Sequence, residues 1–332
     1  MRSHGQETGE GQVSRPRVSY RRRWLPVLAL ALVLASNGPV WSQAIQNPRR
    51  LAEGPAGQLL VSDRAGSVVA VRKDNLEPVW SFQLPEEGAP FGLASGNRLL
   101  FVGNTETRNV EVYRMLGSPA NIRLRFKYNL GFTPPGETGS IEKPIGIGFD
   151  SQAQLVFVLD GAAKEVKVFD RKGRFSHAFA PADRVGELLS PVSLAIDEGR
   201  QEVLVGDYGN PSGFFRARTP ARILIYDYGG ALLSQIDGDG TTHETTRFVR
   251  VQGLATSADG RIFAADPLGG RILVLDRDTG ALLAEVGSEG PEPGQLMLPL
   301  DVHLDERTGD LFVSNNRGAR RIEVFRAARR SR

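Results

Sequence analysis

The sequence of 332 residues contains no cysteine, four histidines and three methionines. Without cysteine no disulfide can form, so the chain must hold its fold by packing alone, even in an oxidising compartment. Long apolar runs are also scarce. The run closest to a membrane span, Leu25 to Ala35, has 11 residues, whereas a helix needs about 20 to cross a bilayer. We therefore expect neither a disulfide framework nor a permanent membrane anchor.

Residues 1–35 have the composition of an export signal. Arg21 to Arg23 precede the apolar run, and small and turn-forming residues follow it. The arginine stretch resembles a twin-arginine signal, although Pro26 stands where a basic residue is expected, so the twin-arginine and Sec routes both remain open. Cleavage after Ala35 or after Ala44 satisfies the preference for small residues. The protein is thus expected to be periplasmic or extracellular.

The net charge changes sign when the leader is set aside. The whole chain has 41 basic and 38 acidic residues, of which residues 1–44 hold six and two. The remainder has 35 basic and 36 acidic residues, a formal charge of −1. Because nucleic-acid binding calls for a basic face on the folded part, no nucleic-acid partner is expected.

A unit of four β-rich runs recurs along the chain. Its clearest marker is an apolar run that ends in Asp or Asn, and the six copies end at Asp63, Asn104, Asp160, Asp207, Asp266 and Asn315. A second alternating run follows each marker, beginning at Val68, Val110, Val166, Ile223, Ile272 and Ile322. An inner run opens 14 to 16 residues before each marker, at Pro48, Pro90, Pro144, Pro191, Val251 and Pro299. Short alternating runs in units of this length predict an all-β fold, a six-bladed β-propeller with four-stranded blades.

The unit resembles the NHL repeat family. The resemblance lies in the opening PFGLA from Pro90, in the apolar run that ends in Asp or Asn, and in the following strand, such as RILVL from Arg271. It covers about residues 48–326 and implies an NHL-type six-bladed propeller. It leaves the activity open, because one fold hosts many functions.

The sixth unit ends without a fourth strand. VWSQAI, residues 40–45, repeats the fourth strand of the first unit, VWSFQL from Val79. We expect residues 40–45 to complete the last blade, close the ring and remove an exposed sheet edge, which favours cleavage after Ala35. The propeller then spans residues 36–332, with blades near 48–86, 88–135, 142–185, 189–238, 249–288 and 297–328.

Three polar residues interrupt the inner strands. The positions two and four residues after each opening residue hold small side chains, except for Arg50, Asp301 and His303. We call these two sets of equivalent positions the small-residue columns. Strand alternation is expected to turn both columns toward the central channel, and to turn the intervening aliphatic residues toward the spaces between blades. The three residues, from neighbouring blades, are then either a polar ligand or acid–base site, or an ion pair that locks the closing blades. The structural interpretation is favoured, because buried ion pairs commonly have no catalytic role.

The marker acids and amides invite a metal interpretation, but one per blade at a strand end favours turn capping by side-chain oxygens. The segment from Asp237 to Gly240 faintly resembles a calcium loop, yet it lacks the third ligand and the closing Glu. A Gly-rich turn is favoured there. No metal and no cofactor are predicted.

The fourth unit carries an insertion, residues 208–222, between its second and third strands. It contains the predicted binding residues Phe214, Phe215, Arg216, Arg218 and Arg222. In a propeller it lies on the same face as the connections 131–143 and 237–250, which we name the loop-bearing face. Long loops on a rigid scaffold often bind partners, and adjacent aromatic and Arg residues are typical of interaction hot spots. Alternatively, the two phenylalanines cover their own blade.

Two functions remain open. One is an exported, non-catalytic module that binds a protein, peptide, glycan or other ligand through its loop-bearing face. The alternative is a metal-dependent hydrolase or lyase, like the lactonases and amidating lyases built on similar propellers, with a site at the channel. Inner strands supply one histidine, His303, so a three-ligand metal site is poorly furnished. Gly-x-Ser-x-Gly and His-Glu-x-x-His are absent from the sequence, and the binding module is favoured.

Overall fold

The computed structural model describes residues 45–85, 88–131, 133–134, 136–180, 187–210, 219–238, 248–317 and 321–328. The predicted export signal therefore lies outside the described residues. Within these ranges 24 strands form six sheets, and a single 3-10 turn, Pro55–Gly57, is the helical element. The described part of the chain has no helix long and apolar enough to cross a membrane.

The strands follow one another in chain order through six blades. Blade one contains β1 (Pro48–Glu53), β2 (Gln58–Asp63), β3 (Ser67–Arg72) and β4 (Pro78–Gln83). Blade two contains β5 (Pro90–Gly96), β6 (Leu99–Asn104), β7 (Asn109–Ser118) and β8 (Asn121–Leu130). Blade three contains β9 (Pro144–Asp150), β10 (Leu155–Asp160), β11 (Glu165–Asp170) and β12 (Phe175–Phe179).

Blade four contains β13 (Pro191–Asp197), β14 (Glu202–Asp207), β15 (Arg222–Asp227) and β16 (Leu232–Asp237). Blade five contains β17 (Gly253–Thr256), β18 (Arg261–Asp266), β19 (Arg271–Asp276) and β20 (Leu282–Val286). Blade six contains β21 (Ser288–Glu289), β22 (Gln295–Asp305), β23 (Asp310–Arg317) and β24 (Ile322–Phe325). Pairing is antiparallel throughout, except that the two-residue β21 lies parallel to β22. The predicted six-bladed propeller is confirmed.

Burial along each blade explains its sequence pattern. The second strands are the most apolar, and every residue of β2, β6 and β14 is buried, because both sheet faces contact neighbouring blades. The outermost strands instead alternate, as in β20, where alternate residues are exposed. One face of an outer strand meets solvent, so period-two alternation is restored.

The core consists of six hydrophobic clusters, one at each interface between neighbouring blades. The last of them combines Leu59 and Val61 of blade one with Phe312 and Ile322 of blade six. The ring is therefore closed by apolar packing between the first and last blades. Burial of this kind contributes roughly 25 cal/mol per Å² of apolar surface, which suits a chain without disulfides.

The inner strands stand with one edge toward the axis, so their two faces contact the two neighbouring blades. A Cβ atom added at Gly92 would lie 2.8 Å from Cγ1 of Ile147, and one at Gly146 would lie 2.9 Å from Cβ of Leu194. The expectation that the small-residue columns face the channel is therefore wrong. These residues face the following blade, and they are small because the next inner strand packs directly against them.

Part of the predicted closing strand, residues 40–44, lies outside the described residues. Ile45, its last residue, is buried in the same hydrophobic cluster as Ile322 of β24. The chain thus enters blade one from the side of blade six. Completion of blade six by residues 40–45 remains a prediction.

The marker side chains cap turns, as predicted. In blade one, Asp63 Oδ1 accepts the Ala65 N–H at 2.8 Å. Its Oδ2 accepts the N–H groups of Gln46 at 2.6 Å and Asn47 at 3.0 Å, just before the inner strand. Asp160 and Asp207 likewise accept N–H groups both from the turn that follows them and from the segment before the inner strand, so each holds two chain segments together. The capping interpretation is confirmed.

Candidate functional site

Arg50 closes the central channel. Its guanidinium donates hydrogen bonds to backbone carbonyl groups of four other blades, those of Ile145 at 3.3 Å, Val192, Gln252 at 2.9 Å and Leu300 at 3.2 Å. The same guanidinium lies 5.4 Å from the ring centroid of Phe91 in blade two. One side chain of blade one thus contacts every other blade and separates the two ends of the channel.

Asp301 pairs with Arg50 across the ring closure. Arg50 Nη1 lies 3.3 Å from Asp301 Oδ1, and both side chains are buried. Asp301 Oδ2 accepts the Leu51 N–H at 2.8 Å, so the carboxylate ties β22 to β1. Burial raises the pKa of the Asp301 carboxyl, although the Arg50 charge and the Leu51 N–H oppose the shift. The sequence placed these two residues together, and their partners are backbone groups of the scaffold.

A cavity of about 660 Å³ lies on one side of Arg50, lined by the inner strands of all six blades. It opens on the face that carries the tight turns after each inner strand, which we name the hairpin face. Arg50, Asp301 and His303 all border this cavity, but His303 does not bond the other two. Its Nε2 lies 2.9 Å from Glu53 Oε2 instead.

A second polar cluster therefore joins blades one and six at the mouth of the cavity. Glu53 contacts His303 and also Lys73 Nζ, which lies 3.3 Å from Asp305 Oδ2. Desolvation alone would raise the pKa of the Glu53 carboxyl, but the hydrogen bonds from His303 and Lys73 hold it below its usual value. The carboxylate is thus kept charged at neutral pH, beside a histidine, in an open cavity.

Hydrogen bonds that involve side chains link neighbouring blades all around the hairpin face. Besides the His303–Glu53 contact, they are Ser95 Oγ to Glu53 O at 2.5 Å, Asn97 Nδ2 to Ser151 O at 3.2 Å, Tyr228 Oη to Asp150 Oδ2 at 2.9 Å, Thr256 Oγ1 to Ile196 O at 3.0 Å and Ala258 N to Glu306 Oε1 at 2.8 Å. Each of the six interfaces has at least one such bond. The hairpin face is consequently held together across every interface between blades.

A smaller cavity of about 230 Å³ lies on the other side of Arg50, at the loop-bearing face. We name it the vestibule. Arg49 and Arg64 form part of its wall together with Phe91 and Asn316, and Arg50 forms its floor. Its position follows from the topology, because β1 and β5 begin at this face and β2 and β23 reach it.

The insertion of blade four starts at the same face. Arg222 at its end is buried, and its Nη2 lies 2.9 Å from Asp207 Oδ2 and 2.7 Å from the Glu187 carbonyl oxygen. Arg222 is therefore a scaffold residue that holds a marker carboxylate, not an exposed contact as its place in the insertion suggested. Phe214, Phe215, Arg216 and Arg218 lie outside the described residues.

Glu53, Lys73, Arg49 and Arg64 were not singled out from the sequence. Arg49 follows the opening proline and Arg64 follows the marker acid of unit one, positions where the other units carry uncharged residues. Comparing the units at those two positions would have shown the charge collected in unit one. Glu53 and Lys73 carry no such signal, since charged residues are ordinary at turns.

The His, Asp and Glu side chains around the channel do not fit a three-ligand metal site. Over the described ranges, no three His, Asp or Glu side chains are grouped closely enough to hold a metal ion. In the Glu53 cluster a lysine occupies the position between the two carboxylates. Asp239 and Gly240 of the faint calcium-loop pattern lie outside the described residues.

Comparison with known proteins identifies the fold and no closer relationship. No protein-family model and no curated protein matches the sequence. Virginiamycin B lyase from Staphylococcus aureus is similar in structure, with a TM-score of 0.55 and 12% identity over 85% of this chain and 82% of the lyase chain. Hydrazine synthase from Kuenenia stuttgartiensis gives a TM-score of 0.57 at 12% identity, over 88% and 80% of the two chains.

A nidogen/laminin complex contains a third similar chain, with a TM-score of 0.53 and 14% identity over 72% of this chain and 79% of that one. At such identities the likeness shows the fold alone. The class of protein is therefore a six-bladed β-propeller, a fold used by a lyase and by a chain of a protein–protein complex.

Proposed function

We propose that this protein is an exported, non-catalytic NHL-type propeller that binds a protein, peptide, glycan or other ligand through its loop-bearing face. The observation that carries the proposal is the uneven distribution of connection lengths. Between the described strands, turns at the hairpin face have two to five residues. At the loop-bearing face four connections have 11 to 15 residues, namely 131–143, 180–190, 208–221 and 238–252. Long loops on one face of a rigid scaffold are typical of binding.

The state of the channel also supports binding over catalysis. Arg50 and Asp301 are buried and hydrogen-bonded to backbone groups, so neither offers a reactive atom to a substrate. A group that acts as an acid, base or nucleophile must be within hydrogen-bond reach of the reacting atoms. We therefore assign Arg50 and Asp301 to ring closure.

Export is part of the proposal and can be tested separately. We expect the mature protein to begin at Ser36, because residues 40–45 are needed to complete blade six. Intact-mass spectrometry of the exported protein measures this directly. A mature chain that begins at Ile45 would remove the closing strand and contradict the proposed closure.

Partner capture tests the binding face. We expect the exported protein to retain a partner in a pull-down, and a variant that lacks residues 211–219 to lose it while remaining folded by circular dichroism. Arg200→Gln, an exposed substitution on the hairpin face, is the control and should retain the partner. Loss of the partner with Arg200→Gln, together with retention by the deletion variant, would place binding on the hairpin face.

A second candidate function rests on the contact between His303 and Glu53. This pair borders the 660 Å³ cavity, and a histidine beside a carboxylate can serve as an acid–base pair in a hydrolase or lyase. His303→Gln and Glu53→Gln should then each abolish turnover without unfolding the protein. Stoichiometric zinc or calcium by elemental analysis, lost in the same variants, would favour the metal-dependent form.

A further inference from the structure

The vestibule collects positive charge on the channel axis. Arg49, Arg50 and Arg64 all border its volume of about 230 Å³. Arg50 is neutralised by Asp301, as its 3.3 Å ion pair shows. Over the described residues, no carboxylate lies within ion-pair distance of Arg49 or Arg64. Two guanidinium charges therefore face a small cavity without a matching anion.

The carboxylate of Asp63 in blade one acts on Arg49 but forms an ion pair with neither Arg49 nor Arg64. Asp63 precedes Arg64, but its two carboxylate oxygens accept the N–H groups of Gln46, Asn47 and Ala65. The pKa of Arg49 is lowered by burial first, and then by the charges of Arg64 and Arg50, whereas Asp63 acts in the opposite direction. The cost of gathering these cations is thus only partly offset within the described scaffold.

Groups of blade two hold Arg49 and Arg50 in place. The Arg49 guanidinium lies 4.6 Å from the ring centroid of Phe91, and Arg49 Nη1 donates to the Pro90 carbonyl oxygen at 3.3 Å. Stacking on the same ring positions Arg50 at 5.4 Å. A guanidinium has five N–H donors, so Arg49 keeps donors for a ligand after this single bond. Fixed donors lose little conformational entropy when an anion binds.

A fourth cation, Arg250, lies near the same end of the channel. Arg250 stacks on Tyr208 at 5.0 Å from the ring centroid. Burial raises the pKa of the Tyr208 hydroxyl, while the charges of both Arg250 and Arg50 oppose the shift, so Tyr208 lies within the influence of both cations. Arg250 thus adds a positive charge beside Tyr208 of blade four, where the insertion begins, although the Asp266 carboxylate acts on Tyr208 in the opposite sense.

From these observations we propose that the vestibule binds an oxyanion group, a phosphate or a carboxylate, carried by the ligand of the loop-bearing face. The planar fork of arginine matches both groups through paired N–H donors. A volume of about 230 Å³ accommodates such a group with a few attached atoms, and not a folded domain. The inference rests on the proposed function and deepens it, because it names the chemistry by which that ligand is held.

Calorimetric titration of the purified mature protein tests the site. Inorganic phosphate and succinate are titrated separately at constant ionic strength, so that the two arms distinguish phosphate from carboxylate. We expect saturable binding of at least one of them, with one site per chain. Arg49→Gln and Arg64→Gln should each weaken it about ten- to a hundredfold, as for loss of a charge-assisted hydrogen bond.

Arg72→Gln is the matched control, since it removes the same charge from an exposed residue of blade one at the hairpin face. The Arg72→Gln variant should bind the anion with the same affinity as the unmodified protein. Asn316→Asp is a second variant, which places a negative charge in the vestibule wall and leaves every arginine intact. It should also weaken binding, even if the arginine variants fold poorly.

Two results would overturn the inference: no saturable binding of either anion, or equal loss in Arg72→Gln and in the vestibule variants. Failure of the anion titration can be told apart from failure of the pull-down that tests the proposed function. Anion binding by the isolated protein does not depend on a captured partner. A partner retained by a protein that binds neither anion would leave the proposed function standing without this site.

Discussion

Arg50→Met is the substitution that most directly tests how the ring is held together. The change keeps an unbranched side chain and removes the guanidinium, whose donors reach Ile145, Val192, Gln252 and Leu300. It also leaves the buried Asp301 carboxyl without its cation. Methionine is shorter than arginine, so the packing of the guanidinium on the axis is lost together with its polar contacts.

The expected magnitude follows from the burial of the pair. Removing one partner of a buried ion pair destabilises a protein by about 3–5 kcal/mol, because an uncompensated charge remains. We expect the free energy of unfolding to fall by about 4 kcal/mol, and Tm by about 7 °C for a chain of this size, since the entropy of unfolding is about 2.1 cal/mol/K per residue. The deficit should shrink as pH falls. Protonation removes the uncompensated charge of the buried Asp301 carboxyl, whose pKa is raised. A carboxyl group with a raised pKa in the folded state favours folding more at low pH than at high pH.

Urea denaturation at pH 7, followed by fluorescence, measures this free energy. Arg72→Met is the control, because its 3.5 Å pair with Glu77 is exposed and should contribute less than about 1 kcal/mol. The double variant Arg50→Met/Asp301→Asn should be more stable than Arg50→Met, since it removes the buried charge and keeps an acceptor for the Leu51 N–H. A loss with Arg50→Met no larger than that of the control would refute the role assigned to Arg50.

Two further outcomes follow from the geometry. Gly103→Ala should destabilise the protein by about 2 kcal/mol or more in thermal melts, because the added Cβ would lie 2.5 Å from the Pro144 carbonyl oxygen. Gly199→Ala is the control and should be nearly neutral in the same melts, because the nearest atom to its Cβ would be 3.5 Å away. Glu53→Gln should lower stability at pH 7 by less than about 1 kcal/mol, since the Glu53 side chain is half exposed. Because the folded pKa of Glu53 is depressed, this difference should be present above the unfolded value of about 4.3 and vanish as pH falls through the lower folded value; a difference that grows on acidification would contradict the assigned contacts.

The repeat pattern was sufficient to predict the architecture. Six copies of an inner run, a marker run and a third run are a local property of the chain, and each copy folds into the same sheet. The capping role of Asp63 and Asp160 was equally predictable, because Asp oxygens regularly accept nearby backbone N–H groups. The pairing of Arg50 with Asp301 followed from counting blades, since the first and sixth become neighbours when the ring closes.

Other features depend on how the sheets face one another. Alternation along a strand assigns residues to two faces but does not say what each face meets. The columns at Gly92 and Gly146 were therefore assigned to the channel, whereas the blades stand edge-on to it. Arg222 was assigned to an exposed loop for a similar reason, although its guanidinium folds back onto Asp207.

The sequence by itself determined that this protein is a ring of six like blades, because the spacing of apolar and turn residues is set by backbone periodicity within each unit. Only the tertiary structure decided that Arg50 divides the channel, that His303 contacts Glu53, and that Arg49 and Arg64 share one vestibule. These residues come together because the ring places the equivalent ends of all inner strands around one axis. The side-chain directions near that axis depend on contacts between blades that are distant in the chain.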